Sequence, residues 1–538
     1  MRMTNKIMQN NSLYNINNNK LLQDKLSTQM STQKKITRPS DDPVIAIRAL
    51  RLRTNVSELT QFYGKNAPDA ESWLTVTGKA LSTVADVLTE LSREANKGSN
   101  KEKGVDDLKI IAEQLKSLKD EFYSTGNMDY AGRYVFTGYR TTTPLSFTDE
   151  VEQQGKGYPS YNITEQTNIN AFDTINYTNV GGLGGLNKHN YTDPKYDGTG
   201  AGIVEQDVKN GDIHRLRLSY DNVKSGGDVK IEIMGKDGKP VNTITPTEAS
   251  LTGAPSPYDQ LLDANEAGTD LAIFVPETGE ILISDSLYSQ MEKEVGNVNT
   301  DGSKTEIRVS YTKDEWKKGD LRPEHYFACT GTTKDAAGND KTVLYNQDYL
   351  TEGKSKSSIE YDVGYNQKIE INTTADEVFT HSLDRDMDDL DRALEELAKI
   401  DASQQDLKNI MKELEAKNID ETDPEYIRTK NLYDATKKSY DYIRENVHSI
   451  FERTISDAQG YLDDANVAIT DNGTRGQRLD LISNRLMDQK TTFQTLQSEN
   501  EDADIAEVAI QLTSTELTYN AALMATGKIM QTSLMNYI

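Results

Sequence analysis

The stretch Arg475 to Ile538 constrains the fold more than any other. It contains no proline and carries two apolar stripes at helical spacing. One runs through Leu479, Ile482, Leu486, Phe493 and Leu496 and continues after Asp504 through Ile505, Val508, Leu512, Tyr519, Ala522 and Ile529. The other runs through Ala506, Ile510, Leu517, Ala521 and Met524. A helix on the surface of a globule needs one apolar stripe. Two stripes demand two partners, so this helix is expected to pack on the beginning of the chain, on another subunit, or on both.

The beginning of the chain is a weak partner. Residues 1–35 are rich in asparagine, with a sparse stripe of Ile7, Leu13, Ile16, Leu22, Leu26 and Met30. Asparagine is a mediocre helix former. The expectation is a helix that is marginal alone and ordered by a partner. Next come Pro39, Ser40, Asp41, Asp42 and Pro43. Ser40 or Asp41 is expected to cap a helix with Pro43 in its first turn.

From Ile45 a 3–4 apolar series holds to Ala95, which argues for coiled-coil-like packing. Gly64 and Pro68 should kink it. Gly98 and Gly104 mark a turn, and a returning helix carries Leu108, Ile111, Leu115, Leu118 and Phe122 on one face. Tyr130–Tyr139 reads as a short strand between glycines.

From about 141 to 375 the helical period disappears. Strands are expected at Arg215–Tyr220, Val229–Met234, Ala272–Val275, Glu280–Ser284, Thr305–Tyr311 and Lys368–Ile371, with Gly181–Gly185 a flexible loop. Helix returns near Glu377, is interrupted at Asp423-Pro424, and breaks again at Asp471-Asn472-Gly473.

The pattern predicts an α+β protein. N- and C-terminal segments form a long antiparallel, coiled-coil-like helical bundle, and a β-rich domain is inserted in the middle. Five segments follow: an N-terminal helix and turn over 1–43, the N-terminal half of the bundle over 44–140, and a projecting β-rich lobe over 141–375. The C-terminal half of the bundle covers 376–474, and a C-terminal helix covers 475–538.

Composition narrows the function. Apolar residues make up only 35% of 538, and mean hydropathy is -0.70, low for a compact enzyme but suited to long helical hairpins. A net charge of -26 argues against nucleic-acid and anionic-membrane partners. With Cys329 the single cysteine, no intrachain disulfide can form. No apolar run reaches the length of a membrane-spanning helix, and the N-terminus lacks the apolar core of a cleaved secretory signal.

The candidate catalytic and metal motifs are incomplete. The histidines make no ligand spacing. The sharpest metal candidate is Asp384, Asp386 and Asp388 with Glu395 at the twelfth position, but Asp389 stands where a calcium loop needs glycine. A solvated acidic helix face is the expectation there. No catalytic, cofactor or metal residue is assigned, and no cofactor is expected.

The plan resembles the flagellin superfamily, and within it the hook-associated proteins of type 3, which join hook to filament. The resemblance rests on Lys35-Ile-Thr-Arg-Pro-Ser-Asp-Asp-Pro43, on Gly132-Arg-Tyr-Val-Phe-Thr-Gly138 with Pro144, and on Asp502-Ala-Asp-Ile-Ala-Glu507 with Ser533–Ile538. It covers about 1–145 and 376–538. The β middle is larger than in a typical member, and the segment around 400–425 looks inserted.

The resemblance implies an extracellular structural subunit at the hook–filament junction, not an enzyme, that leaves the cell by the flagellar type III apparatus without a cleaved signal. It implies partners among the other flagellar axial proteins (a hook-side hook-associated protein and flagellin), copies of the chain itself, and an export chaperone on the C-terminal region. The expected assembly interface is Ile7, Leu13, Ile16, Leu22, Leu26, Ile505, Val508, Leu512, Tyr519, Ala522, Ile529 and Leu534. The alternatives are a filament-forming flagellin and, in a different class, a glycan-binding or enzymatic module in the β lobe.

Overall fold

In the computed structural model, helices fill both ends of the chain and strands fill the middle, as the sequence pattern predicts. Residues 5–535 are described, apart from 149–158, 180–181, 194–195, 197–202, 236–237, 254, 299–306, 335–339 and 353–356.

The described helices are, in chain order, α1 (Asn5–Thr32), α2 (Pro43–Gln61), α3 (Ala67–Gly98), α4 (Val105–Thr125), α5 (Pro257–Ala267) and α6 (Asp285–Val298), followed by α7 (Tyr349–Glu352), α8 (Ser382–Ala416), α9 (Pro424–Glu501) and α10 (Ile505–Met535). The strands are β1 (Asp129–Tyr130), β2 (Arg133–Tyr134), β3 (Ser160–Thr167), β4 (Asp173–Thr178), β5 (Asn210–Arg217), β6 (Lys230–Met234), β7 (Pro240–Ile244) and β8 (Thr247–Glu248). They continue with β9 (Ala272–Val275), β10 (Glu280–Ile283), β11 (Ile307–Lys313), β12 (Ala328–Lys334), β13 (Asp340–Tyr345), β14 (Glu360–Gly364) and β15 (Gln367–Glu370).

The chain divides into two compact units. One is Met1–Ser72 with Glu360–Ile369 and Gly476–Ile538; the other is Trp73–Ile359 with Glu370–Arg475.

In the first unit the kink expected at Gly64 takes the form of a π-helical turn over Phe62–Asn66. Such a turn inserts one residue into the helical ladder. The β14–β15 hairpin packs on it: Asn66 donates to the Asp362 carbonyl at 2.7 Å, and Phe62 meets Tyr365 edge to face.

In the second unit, α4 and α8 run antiparallel, tied by Lys119–Asp384 and Lys116–Asp391 at 2.6 Å each. Leu81, Leu88 and Leu91 of α3, Leu115 of α4 and Leu397 of α8 are fully buried. Two sheets form the rest, in strand orders β4-β5-β10-β9-β8 and β13-β12-β3-β11-β6-β7. Phe274, Ile281 and Ile283 enter a core with Ile163, Ile231 and Val309, whereas Ile273, Val275 and Leu282 pack against Leu261 of α5. β9 and β10 are therefore buried on both faces, and their side chains are apolar except for Glu280, whose buried carboxylate meets Arg215 and Arg392.

Several expectations are corrected. The middle is not free of helix. α5 starts with Ser256 as N-cap and Pro257 at the first position, and ends at Gly268 with φ 65°. Tyr130–Tyr139 is not one strand but a two-residue hairpin, β1–β2, turned by Ala131 and Gly132 at φ 52° and 76°, followed by a loop. The glycine run is not a flexible loop where it is described. Leu183–Gly185 is a 3-10 turn with Leu183 buried, and Gly184 lies against Lys399 and Ile400 of α8.

Asp471-Asn472-Gly473 does not break the helix, since α9 runs through it. Asn472 is buried and donates to the Leu74 carbonyl of α3 at 3.0 Å. A glycine inside a helix costs only about 1 kcal/mol, which this packing overrides. The segment at 400–425 is the tip of the α8–α9 hairpin, anchored by buried Ile400, Leu407, Ile410 and Leu414.

The acidic face of α8 is only partly solvated: Glu395 is exposed and Asp384 and Asp388 are half-buried. Asp386 and Asp389 are buried. Arg215 grips Asp389 with two bonds, at 3.1 and 2.8 Å, and also bonds Glu280 and Asp173. Arg217 pairs with Asp386 at 2.7 Å, and Arg392 and Arg453 also reach Asp389. Burial alone would raise the Asp389 carboxyl, but Arg215, Arg217 and Arg392 outweigh it and hold it well below the usual carboxylate range.

Candidate assembly surface

The terminal helices of the first unit pair antiparallel. Gln33–Lys35, which follows α1, meets Glu501–Ala503, which precedes α10. The Lys35 amide donates to the Glu501 carbonyl at 2.7 Å, and the Ala503 amide donates to Gln33 at 2.9 Å. The Glu501 carboxylate is buried there and takes a bidentate grip from Arg53 at 2.8 and 2.5 Å. Lys34 pairs with Asp502. Asp504 then caps α10 by accepting from the amides of Ala506 and Glu507. Farther along, Gln23 bonds Glu516 at 3.3 Å.

At the other end of this loop the cap of α2 is Asp42, not Ser40 or Asp41. Its carboxylate accepts from the amides of Val44 at 2.9 Å and Ile45 at 3.1 Å, with Pro43 in the first turn. Asp41 instead closes the preceding turn by accepting from the Thr37 and Arg38 amides. Those two backbone bonds hold its carboxyl below its ordinary range.

Exposure separates the faces of the two helices. On α1 the covered positions are Gln9, Ser12, Ile16, Asn19, Gln23 and Leu26, stepping by three and four. On α10 they are Val508, Leu512, Thr515, Tyr519, Ala522 and Thr526, with the same step. That is the geometry of a two-helix seam. Most of its α1 side is polar, however, and Ile16, Leu26 and Val508 are the fully buried aliphatic side chains among the described residues of the two helices.

The apolar side chains face outward instead. Ile7, Tyr14 and Leu21 are 48, 67 and 69% exposed, and Ile510, Leu517 and Met524 are 71, 73 and 68% exposed. Each set repeats every seven residues. Val44, Ile47 and Leu50 make a further exposed row on α2.

The expected interface residues therefore scatter. Ile16, Leu26 and Val508 are buried, and Leu512, Tyr519 and Ala522 are half-buried in the intramolecular seam. Ile7, Leu13, Leu22 and Ile505 are exposed. The side chains of Ile529 and Leu534 lie outside the described residues. Tyr14, Leu21 and the α2 row are missing from the expected interface, though the seven-residue repeat of Ile7, Tyr14 and Leu21 was there to be read.

In the second unit a cavity of about 710 Å³ lies between β4, α5, α8 and α9, lined by Tyr177, Tyr258, Glu395, Lys399, Arg392 and Arg453. Both arginines are already engaged by carboxylates. No described helix is long and apolar enough to cross a membrane.

Residues 3–141 match the bacterial flagellin N-terminal helical region. Flagellar hook-associated protein 3 of Salmonella typhimurium is 30% identical over 142 residues, 26% of this chain and 44% of that protein. The Escherichia coli protein of the same name is 30% identical over 158 residues, 29% of this chain and 48% of that protein. The match thus spans about half the length of these relatives.

Among solved structures, FlgL of Xanthomonas campestris aligns over 82% of this chain and 98% of its own at 14% identity and a TM-score of 0.28. A putative flagellar hook-associated protein from Vibrio parahaemolyticus aligns over 86% of this chain and 100% of its own, at 11% identity and a TM-score of 0.31. This chain is thus similar to the bacterial flagellin N-terminal helical region over residues 3–141, and to flagellar hook-associated protein 3 over a stretch of 142 to 158 residues.

Proposed function

We propose that this chain is a structural subunit of the bacterial flagellum at the hook–filament junction, where it polymerises through its terminal helices. One observation carries the reading: α1 meets α10 through a mostly polar face, and both helices turn a seven-residue apolar row outward. Burying one such side chain stabilises by about 1.5–3 kcal/mol. Contact with neighbouring copies therefore offers more apolar burial than the intramolecular seam does. The partners are further copies of this chain, a hook-side hook-associated protein and flagellin. Export runs through the flagellar type III route, with a chaperone covering the C-terminal helix beforehand.

The test is genetic and biochemical together. Deleting the gene should leave hooks without filaments, and the wild-type chain should restore filaments. A Leu517→Glu chain that is exported and folded should not restore them. Filaments on the deletion strain would refute the reading. Long filaments grown from the pure chain after seeding would assign it as a flagellin instead.

A further inference from the structure

Lys313 closes β11 with its side chain fully buried. Its nitrogen lies over Trp316 and Tyr220, 5.3 and 5.9 Å from the ring centroids, and donates to the Asp221 carbonyl at 2.5 Å. Two carboxyls face it: Asp221 Oδ1 at 3.6 Å and Asp320 Oδ2 at 4.0 Å. A charge-assisted bond closes to about 2.7–2.9 Å, so neither is a tight ion pair. A buried amine without a tight counter-ion is a stronger nucleophile than a solvated ammonium.

The carboxyls differ in how readily they take a proton. Burial pushes Asp320 up to about 6 and pushes the Lys313 amine down. Burial would raise Asp221 too, but the amines of Lys313 and Lys317 outweigh it and keep it ionised. Asp320 is also held in place. The Lys317 amide donates to its Oδ2 at 2.8 Å, and its own carbonyl accepts from the Phe147 amide at 2.8 Å.

We propose that Lys313 Nζ and the Asp320 side chain condense into an intramolecular amide, with Asp221 carrying the proton. A proton shift from the Lys313 ammonium to the Asp320 carboxylate gives the free amine and the neutral acid, and the nitrogen lone pair then attacks Cγ. The Lys317 amide steadies the charge that develops on Oδ2. Asp221 takes a proton from the nitrogen and delivers it to the departing hydroxyl. The C–O bond breaks, one water leaves, and an N–C amide bond remains. No oxidant or cofactor enters the balance. A cavity of about 10 Å³ bounded by Tyr220, Asp221, Gly319 and Asp320 is the size that accepts a single water. With Nζ and Oδ2 4.0 Å apart in one folded frame, the two groups gain the effective concentration of an intramolecular reaction once they close by less than about 1 Å.

The purified full-length chain is expected to weigh one water less than its sequence. Trypsin should not cut after Lys313, and fragment spectra should join Lys313 to Asp320. Asp320→Ala and Asp221→Ala should each restore the full mass. If those variants do not fold, the wild-type spectrum decides alone. A full-mass wild-type chain cut normally after Lys313 overturns the proposal. So does a water lost elsewhere, as in a cyclised aspartate that leaves Lys313 free, or a bond mapped from Lys313 to Asp221.

Discussion

Phe451 of α9 lays its ring where a side chain on Gly98 of α3 would stand. The glycine that ends α3 is thus also the point of close approach between two antiparallel helices. Gly98→Ala should overpack this site and cost about 1–3 kcal/mol. Adding Phe451→Leu should recover part of the loss. Urea unfolding of the two single variants and the double variant measures the coupling, and strict additivity would refute it.

The arginine–aspartate cluster under the β lobe should be costly to break on one side. Asp389→Ala leaves Arg215, Arg217 and Arg392 facing one another with less counter-charge. A loss of about 3–5 kcal/mol is expected, read as a lower urea midpoint. A loss under 1 kcal/mol would show that water reaches the cluster.

Two buried histidines should set a pH slope. Burial lowers His325 to about 4 and His381 to about 3, from an ordinary 6.5. As pH falls through 6.5 the unfolded chain gains protons that the fold refuses. Stability is therefore greatest above 6.5 and declines as pH falls toward 4. His381 pairs with the Tyr220 hydroxyl at 2.9 Å, and His381→Gln keeps a neutral polar partner there. The variant's urea midpoint should fall less between pH 6.5 and 4 than the wild type's.

Asp42 is predicted to be the cap that starts α2. Asp42→Ala should cost about 1 kcal/mol and speed amide exchange at Val44 and Ile45. Ser40→Ala should do neither.

The two faces of the terminal helices should respond differently. Leu517→Ser, on the outward row, should change monomer stability by no more than about 0.5 kcal/mol. Leu26→Ala, in the seam, should accelerate amide exchange across α1 and α10. Equal effects would mean that the exposed row is covered in the monomer.

Local pattern was enough for the broad plan. Apolar spacing of three and four made the ends helical, because a helix repeats its face at that step. The short runs at Ala272–Val275 and Glu280–Ser284 marked strands, and both are strands in the fold. The resemblance at the N-terminus was equally legible, being carried by contiguous motifs. What the sequence alone could not decide was the fate of groups whose partners lie far along the chain. Asp389 looks like any solvated helix acid until Arg215, 174 positions away, folds onto it. Asn472-Gly473 looks like a break until Asn472 finds the Leu74 carbonyl and the space left by Gly78, 2.9 Å from its amide. Two apolar stripes on α10 are equivalent by spacing. Only the antiparallel join of Lys35 to Glu501 determines which one turns inward, because that join sets the rotation of both helices about their axes.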